Sequence, residues 1–170
     1  MEQETMNNLK VEFTIVENTA KSFSEKQFFL KPGPDQWSAA EITEHLFLSV
    51  KPLVGLFGAP QIMLEKWGRV NRPTLGYDEL VAKYLGNAGK LKASPSVTPQ
   101  QTEATQVEQV GKFRVINEKF IEGANKLPDE ILDTYQVPHP LMGLITVREM
   151  LYFTLYHYKH HLKAINKLLV

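Results

Sequence analysis

The chain has 170 residues, which is a normal length for one domain that buries its own core. Its 19 lysine and arginine residues equal its 19 aspartate and glutamate residues, so its net charge is zero and it has no excess of positive charge with which to bind nucleic acid. The absence of cysteine excludes disulfides, thiolate metal sites and cysteine nucleophiles. We therefore expect a single domain over residues 1–170 that does not bind nucleic acid and that holds any metal through nitrogen or oxygen.

The first ten residues, MEQETMNNLK, carry acidic and amide side chains where a secretory signal has basic residues and then an apolar run. No window approaches the roughly 20 consecutive apolar residues that a membrane-spanning helix needs. These two features predict a cytoplasmic protein without a membrane partner.

The first half of the chain predicts two helices. Apolar residues at steps of three and four indicate an amphipathic helix over residues 9–30, which the segment 31–34 ends with two prolines. Ser38 and Glu41 have the spacing of a capping box, so the second helix begins there and its apolar stripe continues to Phe57. Pro52 lies within that stripe and is expected either to kink the helix or to shorten it.

Residues 58–98 are rich in glycine and proline and predict a long crossover between the second and third helices, with one short helix over residues 78–85. A capping-box pattern at residues 98–101, with Pro99 at the first helical position, predicts the start of the third helix. Leu127 and Pro128 end it. Its predicted apolar face consists of Val107, Val110, Phe113, Ile116, Phe120 and Ala124.

The last helix has the clearest pattern. Thr146 and Glu149 form another capping box, and a continuous apolar stripe follows from Val147 to Leu168. Four long amphipathic segments without a clear strand pattern predict an all-α four-helix bundle.

Three of the five histidines are predicted to face the bundle interior. At about 100° per residue, His157 and His161 lie about 40° apart on the buried face of the last helix, whereas His160 faces solvent. His45 precedes Leu46 in the buried stripe of the second helix.

The spacing of these histidines suits a metal ion. Histidines at i and i+4 place two imidazoles about 6 Å apart along the helix axis, so both reach one ion at about 2.0–2.1 Å. With His45 from a facing helix, His157 and His161 provide three ligands and leave a coordination position open, which is typical of catalytic sites. The alternative is that all three are core histidines that form hydrogen bonds with their neighbours.

Two segments resemble the DinB-like (YfiT-like) superfamily. One is Trp37-Ser38-Ala39-Ala40-Glu41-Ile42-Thr43-Glu44-His45-Leu46; the other combines the turn His139-Pro140-Leu141-Met142-Gly143 with the later His157-xxx-His161 pair. The resemblance implies an up-down-down-up four-helix bundle, a homodimer, and a divalent metal ion, nickel or zinc, held by His45, His157 and His161. One departure concerns the residues after His161, which are Leu162-Lys163-Ala164 where many members have Arg-Gly-Gln.

The same resemblance implies two activities on a small-molecule substrate. Members are described as metal-dependent hydrolases or as thiol S-transferases that use low-molecular-weight thiols. We favour the transferase, because no carboxylate has a spacing suited to a general base and because the missing cysteine is compatible with a sulfur that arrives with the substrate. A third hypothesis is a non-catalytic metal-binding protein of a stress response.

No residue is assigned a catalytic role from the sequence. His139 is predicted to be a loop residue held by two prolines, with an acid–base role at the mouth of the site as the alternative. Glu44 is expected on the rim or in solvent, about 100° around the helix from His45. The tyrosines of the last helix, Tyr152, Tyr156 and Tyr158, are expected to pack, with substrate orientation as their alternative role.

Overall fold

The computed structural model describes residues 2–89, 94–100 and 103–169, and this part of the chain is mostly helical. The helices are α1 (Glu2–Ser22), α2 (Glu25–Phe29), α3 (Ala39–Gly58), α4 (Gln61–Trp67), α5 (Tyr77–Asn87), α6 (Gln106–Asn125), α7 (Asp129–Thr134) and α8 (Val147–Asn166). A 3-10 turn spans Pro95–Val97, and two short strands are β1 (Gln136–His139) and β2 (Gly143–Thr146).

The four long helices form the bundle. Helix α3 packs along α6, α1 packs against both α6 and α8, and α8 also contacts α3, so each long helix has at least two long neighbours. The apolar stripes meet in one core, whose largest fully buried side chains include Tyr158, Phe28, Phe113, Phe120, Leu9 and Leu46. The predicted all-α four-helix bundle is confirmed.

The first predicted helix is two helices. Helix α1 ends at Ser22, and Ser24 begins α2 with a capping box in which its hydroxyl accepts a hydrogen bond from the Gln27 backbone N–H. The Gln27 side chain in turn accepts from the Ser24 N–H. The continuous helix predicted over residues 9–30 was therefore wrong, because this reciprocal cap satisfies the free amides of a new helix start.

Helix α3 begins at the predicted Ser38 cap and runs for 20 residues through Pro52, so the proline does not shorten it. Among the described residues, no single helix is long and apolar enough to cross a membrane. Helices α3 and α4 meet that length and composition only when joined, and they are bent by 104° at the break between them.

The third long helix starts later than predicted. Thr98 ends the 3-10 turn, and Gln101, the other partner in the predicted capping box, lies outside the described residues. Helix α6 begins at Gln106, where Thr105 and Glu108 form the capping box instead. The start predicted at Thr98 was therefore wrong.

The buried face of α6 also differs from the predicted stripe. Val107 is 82% exposed, whereas Gln109 and Asn117 are buried. The Gln109 amide donates a hydrogen bond to the Ala40 carbonyl, and the Asn117 side-chain oxygen accepts one from the Tyr158 hydroxyl. Polar residues that are paired across the core can thus replace apolar ones on an inward face.

A β-hairpin leads into α8, although the sequence showed no clear strand pattern. Strands β1 and β2 are antiparallel, and Val137 lies opposite Ile145 with both side chains fully buried. Gly143 has a φ of 72°, a conformation that favours glycine, at the end of the predicted turn. Strand β1 contains Pro138, a residue that cannot donate a hydrogen bond to a strand ladder.

The crossover from α3 to α6 is anchored at the start of α8. It contains α4, α5 and the 3-10 turn, so the short helix predicted over residues 78–85 is confirmed as part of α5. The fully buried Glu149 carboxylate accepts hydrogen bonds from both terminal nitrogens of Arg72 and from the Leu75 and Thr146 backbone N–H groups. Burial raises the pKa of Glu149, but hydrogen bonds, first that from Arg72, outweigh burial and hold it below its usual value.

Candidate metal centre

The three histidines predicted to face the bundle interior lie on two facing helices. His45 is on α3, and His157 and His161 are one turn apart on α8. His45 and His157 are buried and His161 is half-buried, whereas His160 is exposed. The predicted inward and outward orientations are therefore confirmed.

The ring nitrogens of the three side chains converge. The Nε2 atom of His157 lies 3.0 Å from the Nε2 of His45 and 3.0 Å from the Nε2 of His161. One ring nitrogen of each histidine lies within 4.8 Å of the other two. With metal–nitrogen bonds of about 2.1 Å, a 3.0 Å separation corresponds to an angle of about 90° at an ion. The three nitrogens are therefore close enough together to bind one divalent ion.

A backbone carbonyl fixes the tautomer of His45. Its Nδ1 lies 2.6 Å from the carbonyl oxygen of Val97, in the 3-10 turn. Because a carbonyl oxygen only accepts, Nδ1 carries the proton and Nε2 presents its lone pair to the other two histidines. Metal-binding histidines commonly donate their second ring N–H to such a partner, which orients the ring. No sequence pattern indicates this partner, since it is a main-chain atom.

Burial keeps the three imidazoles neutral. It lowers the pKa of His161 to about 3 and that of His157 well below the usual value. Burial also lowers the pKa of His45, although the Val97 carbonyl opposes that shift. Neutral imidazoles are the form that binds a metal ion at neutral pH.

Aromatic rings surround the histidine cluster. The Trp37 ring lies 4.9 Å from the His45 ring and stacks over the His161 ring at 6.3 Å. Phe153 stacks on His157 at 5.0 Å between ring centroids. Such apolar walls limit water and strengthen electrostatic interactions with an ion.

A cavity of about 570 Å³ between the 32–37 segment and the end of α8 borders the cluster at His161. His161 and Trp37 form part of its wall. We call it the α8 cavity; its lining residues are Pro32, Asp35, Gln36, Trp37, Ile42, His160, His161, Lys163, Ala164, Lys167 and Leu168. Its volume is that of a small-molecule site, so a substrate can approach the histidines from this side.

A family model described as the DinB superfamily matches residues 12–165, a region that includes all three histidines. The chain belongs to the DinB superfamily. No curated protein matches it.

A solved structure gives the same fold for this DinB-superfamily protein. It is YfiT from Bacillus subtilis, described as a probable metal-dependent hydrolase with an unusual four-helix bundle topology. The TM-score is 0.63 at 17% sequence identity, and the similarity covers 98% of this chain and 85% of YfiT. At that identity the similarity shows a shared bundle fold.

His139 lies beside the cluster rather than in it. It is buried at the end of β1, so its prediction as a loop residue was wrong. Its Nδ1 accepts a hydrogen bond from the Leu141 N–H, and its ring packs edge-on against Phe153 at 4.2 Å. Phe153 in turn stacks on His157, so one aromatic ring separates His139 from the cluster. Burial lowers the pKa of His139 to about 4, so it is neutral at pH 7.

Glu44 and the tyrosines of α8 complete the sequence candidates. Glu44 is half-buried on α3, where burial raises its pKa and Lys112 and Lys51 oppose the shift. Tyr158 is fully buried and donates its hydrogen bond to Asn117, so it has a packing role as predicted. The other two tyrosines, Tyr152 and Tyr156, pack against Tyr77 and Tyr84.

Proposed function

We propose that this DinB-superfamily protein is a divalent-metal-dependent enzyme, with His45, His157 and His161 as the ligands of a nickel or zinc ion. The observation that carries the proposal is the convergence of three neutral ring nitrogens from two helices beside a cavity of small-molecule size. Imidazole nitrogen suits both ions.

Each part of the centre has a task. When bound, the ion supplies Lewis-acid chemistry that lowers the pKa of a coordinated thiol or water. The Val97 carbonyl holds His45 in the tautomer that points Nε2 inward. Trp37 and Phe153 shield the rings from bulk water, while His161 borders the cavity through which the substrate enters.

The proposed reaction is thiol S-transfer. A low-molecular-weight thiol loses its proton to solvent water, its sulfur forms a bond to an electrophilic carbon of the second substrate, and the leaving group departs from that carbon with its bonding electron pair. The sulfur comes from the substrate, in agreement with a chain that has no cysteine.

Hydrolysis is the second candidate reaction. It is favoured by the similarity to YfiT, which is described as a probable metal-dependent hydrolase. A non-catalytic, structural site has less support: such sites are closed by four protein ligands, and the cluster found among the described residues has three and borders a cavity.

Activity assays on nickel- or zinc-loaded protein test the proposal. One assay follows conjugation of a low-molecular-weight thiol to 1-chloro-2,4-dinitrobenzene, and the other follows hydrolysis of p-nitrophenyl acetate without thiol. We expect metal-dependent conjugation that is lost in His161→Ala and kept in His160→Ala, the exposed neighbour. Ester hydrolysis with the same dependence identifies a hydrolase instead. Equal rates for wild type and His161→Ala in both assays refute an enzyme at this site.

We also propose a cytoplasmic homodimer, on the family resemblance alone. Light scattering coupled to size-exclusion chromatography measures the mass in solution. A mass of two chains supports the dimer, and a mass of one chain at micromolar concentration contradicts it.

A further inference from the structure

The α8 cavity has an uneven distribution of charge. His160 and Lys163 of α8 line it together with Lys167, the residue directly after the end of α8, whereas Asp35 is the acidic residue of its wall. The remaining wall is largely apolar, with Trp37 as its largest side chain. The cavity therefore combines a metal-ligand end, an aromatic wall and a cationic edge.

Lys163 and Lys167 border the same cavity. Residues i and i+4 of a helix share a face, so Lys163 and Lys167 lie one turn apart, and both border the cavity. In the described part of the chain, neither lysine has an ion pair with a carboxylate of the protein. Lysines near a helix C-terminus also interact favourably with the helix dipole, but that interaction does not require both to border one cavity.

We infer that the α8 cavity binds a substrate with an anionic group, a carboxylate or a phosphate, which Lys163 and Lys167 hold. The inference rests on the proposed function, in which the reactive end of the substrate lies at the histidine cluster. Two to six residues separate His161 from the lysines, a rise of about 3 to 9 Å along α8. An anionic group on a small molecule spans that distance while its apolar part contacts Trp37.

Matched probes separate charge from shape. Isothermal titration calorimetry compares 3-phenylpropionate and 2-phenylethyl phosphate with the neutral 3-phenylpropionamide, on the full chain in metal-free and zinc-loaded form. Lys163 and Lys167 are both exposed, and two exposed ion pairs favour binding by about tenfold together, so we expect the better of the two anions to bind about tenfold more tightly than the amide at low salt. The stronger of the two anions identifies the group that the lysines accept.

Two variants assign that preference to the lysine pair. The double variant Lys163→Gln/Lys167→Gln should bind anion and amide equally, whereas Lys159→Gln, an exposed lysine of α8 outside the cavity wall, should keep the preference. Equal affinity for all probes in wild type, no binding of any probe, or an undiminished preference in the double variant each overturns the inference.

The comparison of metal-free with zinc-loaded protein distinguishes failure of the anion site from failure of the proposed metal enzyme. Preference for an anion without metal uptake refutes the metal enzyme and leaves the anion site in place. Zinc uptake without anion preference refutes the anion site and leaves the metal enzyme in place.

Discussion

Replacement of Glu149 by glutamine should destabilise the fold strongly, because this carboxylate joins the crossover to the start of α8. Glu149 has no exposed surface, and each of its oxygens accepts two hydrogen bonds. One oxygen accepts from Arg72 and the Leu75 N–H, and the other accepts from Arg72 and the Thr146 N–H. A glutamine NH₂ group in either position faces two donors instead of accepting from them.

The expected cost follows from those contacts. Each buried N–H left without an acceptor costs about 1–3 kcal/mol, and removal of one partner from a buried ion pair costs about 3–5 kcal/mol in all. Arg72 is one-third exposed and can turn to water, so we expect the lower end, about 3 kcal/mol. At a urea m-value of about 2 kcal/mol/M, the unfolding midpoint falls by about 1.5 M.

Urea unfolding followed by circular dichroism measures this shift. Glu122→Gln is the matched control, since Glu122 of α6 pairs with Lys126, the residue directly after that helix, and both side chains are about two-thirds exposed. Its midpoint should move by less than about 0.3 M. A Glu149→Gln midpoint no lower than that of the control refutes the argument that this ion pair anchors the crossover.

Two further predictions concern stability. Burial lowers the pKa of His139 to about 4, so below about pH 6.5 the unfolded chain takes up a proton there that the native protein does not, and stability is lost as pH falls. Between pH 6 and 5 this proton uptake increases the unfolding constant of the wild type by up to about tenfold per pH unit, and His139→Gln should remove that contribution. Equal slopes of the unfolding constant against pH in the two proteins contradict this. In α6, Gly111→Ala should stabilise by about 0.5–1 kcal/mol because the added Cβ meets no atom within 4 Å. Gly123→Ala should be less stable than Gly111→Ala, by about 1 kcal/mol or more, because its Cβ lies 3.0 Å from that of Phe57; equal urea midpoints contradict this.

Helices that begin at a capping box and continue as an apolar stripe were predictable from the sequence. Ser38 and Thr146 mark the starts of α3 and α8 as expected, and both are confirmed as N-caps. The same reasoning misplaced the start of α6, because Thr98 and Thr105 both precede a suitable partner three residues later. The capping-box pattern alone therefore does not distinguish two candidate caps.

Features that depend on distant parts of the chain were harder to predict. Asn117 faces the core because Tyr158, 41 residues later, satisfies its side-chain oxygen. The Val97 carbonyl reaches His45 from 52 residues away, and a main-chain atom leaves no pattern in the sequence. Helical spacing, by contrast, was enough to place His157 and His161 on one inward face, because both belong to the same regular element.

The metal content of the untagged protein tests the proposed metal centre most directly. Plasma mass spectrometry compares wild type with His45→Ala, His161→Ala and the exposed control His160→Ala, each purified in parallel. We predict about one equivalent of nickel or zinc per chain in wild type and in His160→Ala, and a large loss in the other two variants. A wild-type protein that carries no ion and cannot be loaded with one, or equal metal content in all four proteins, would contradict the three-histidine centre.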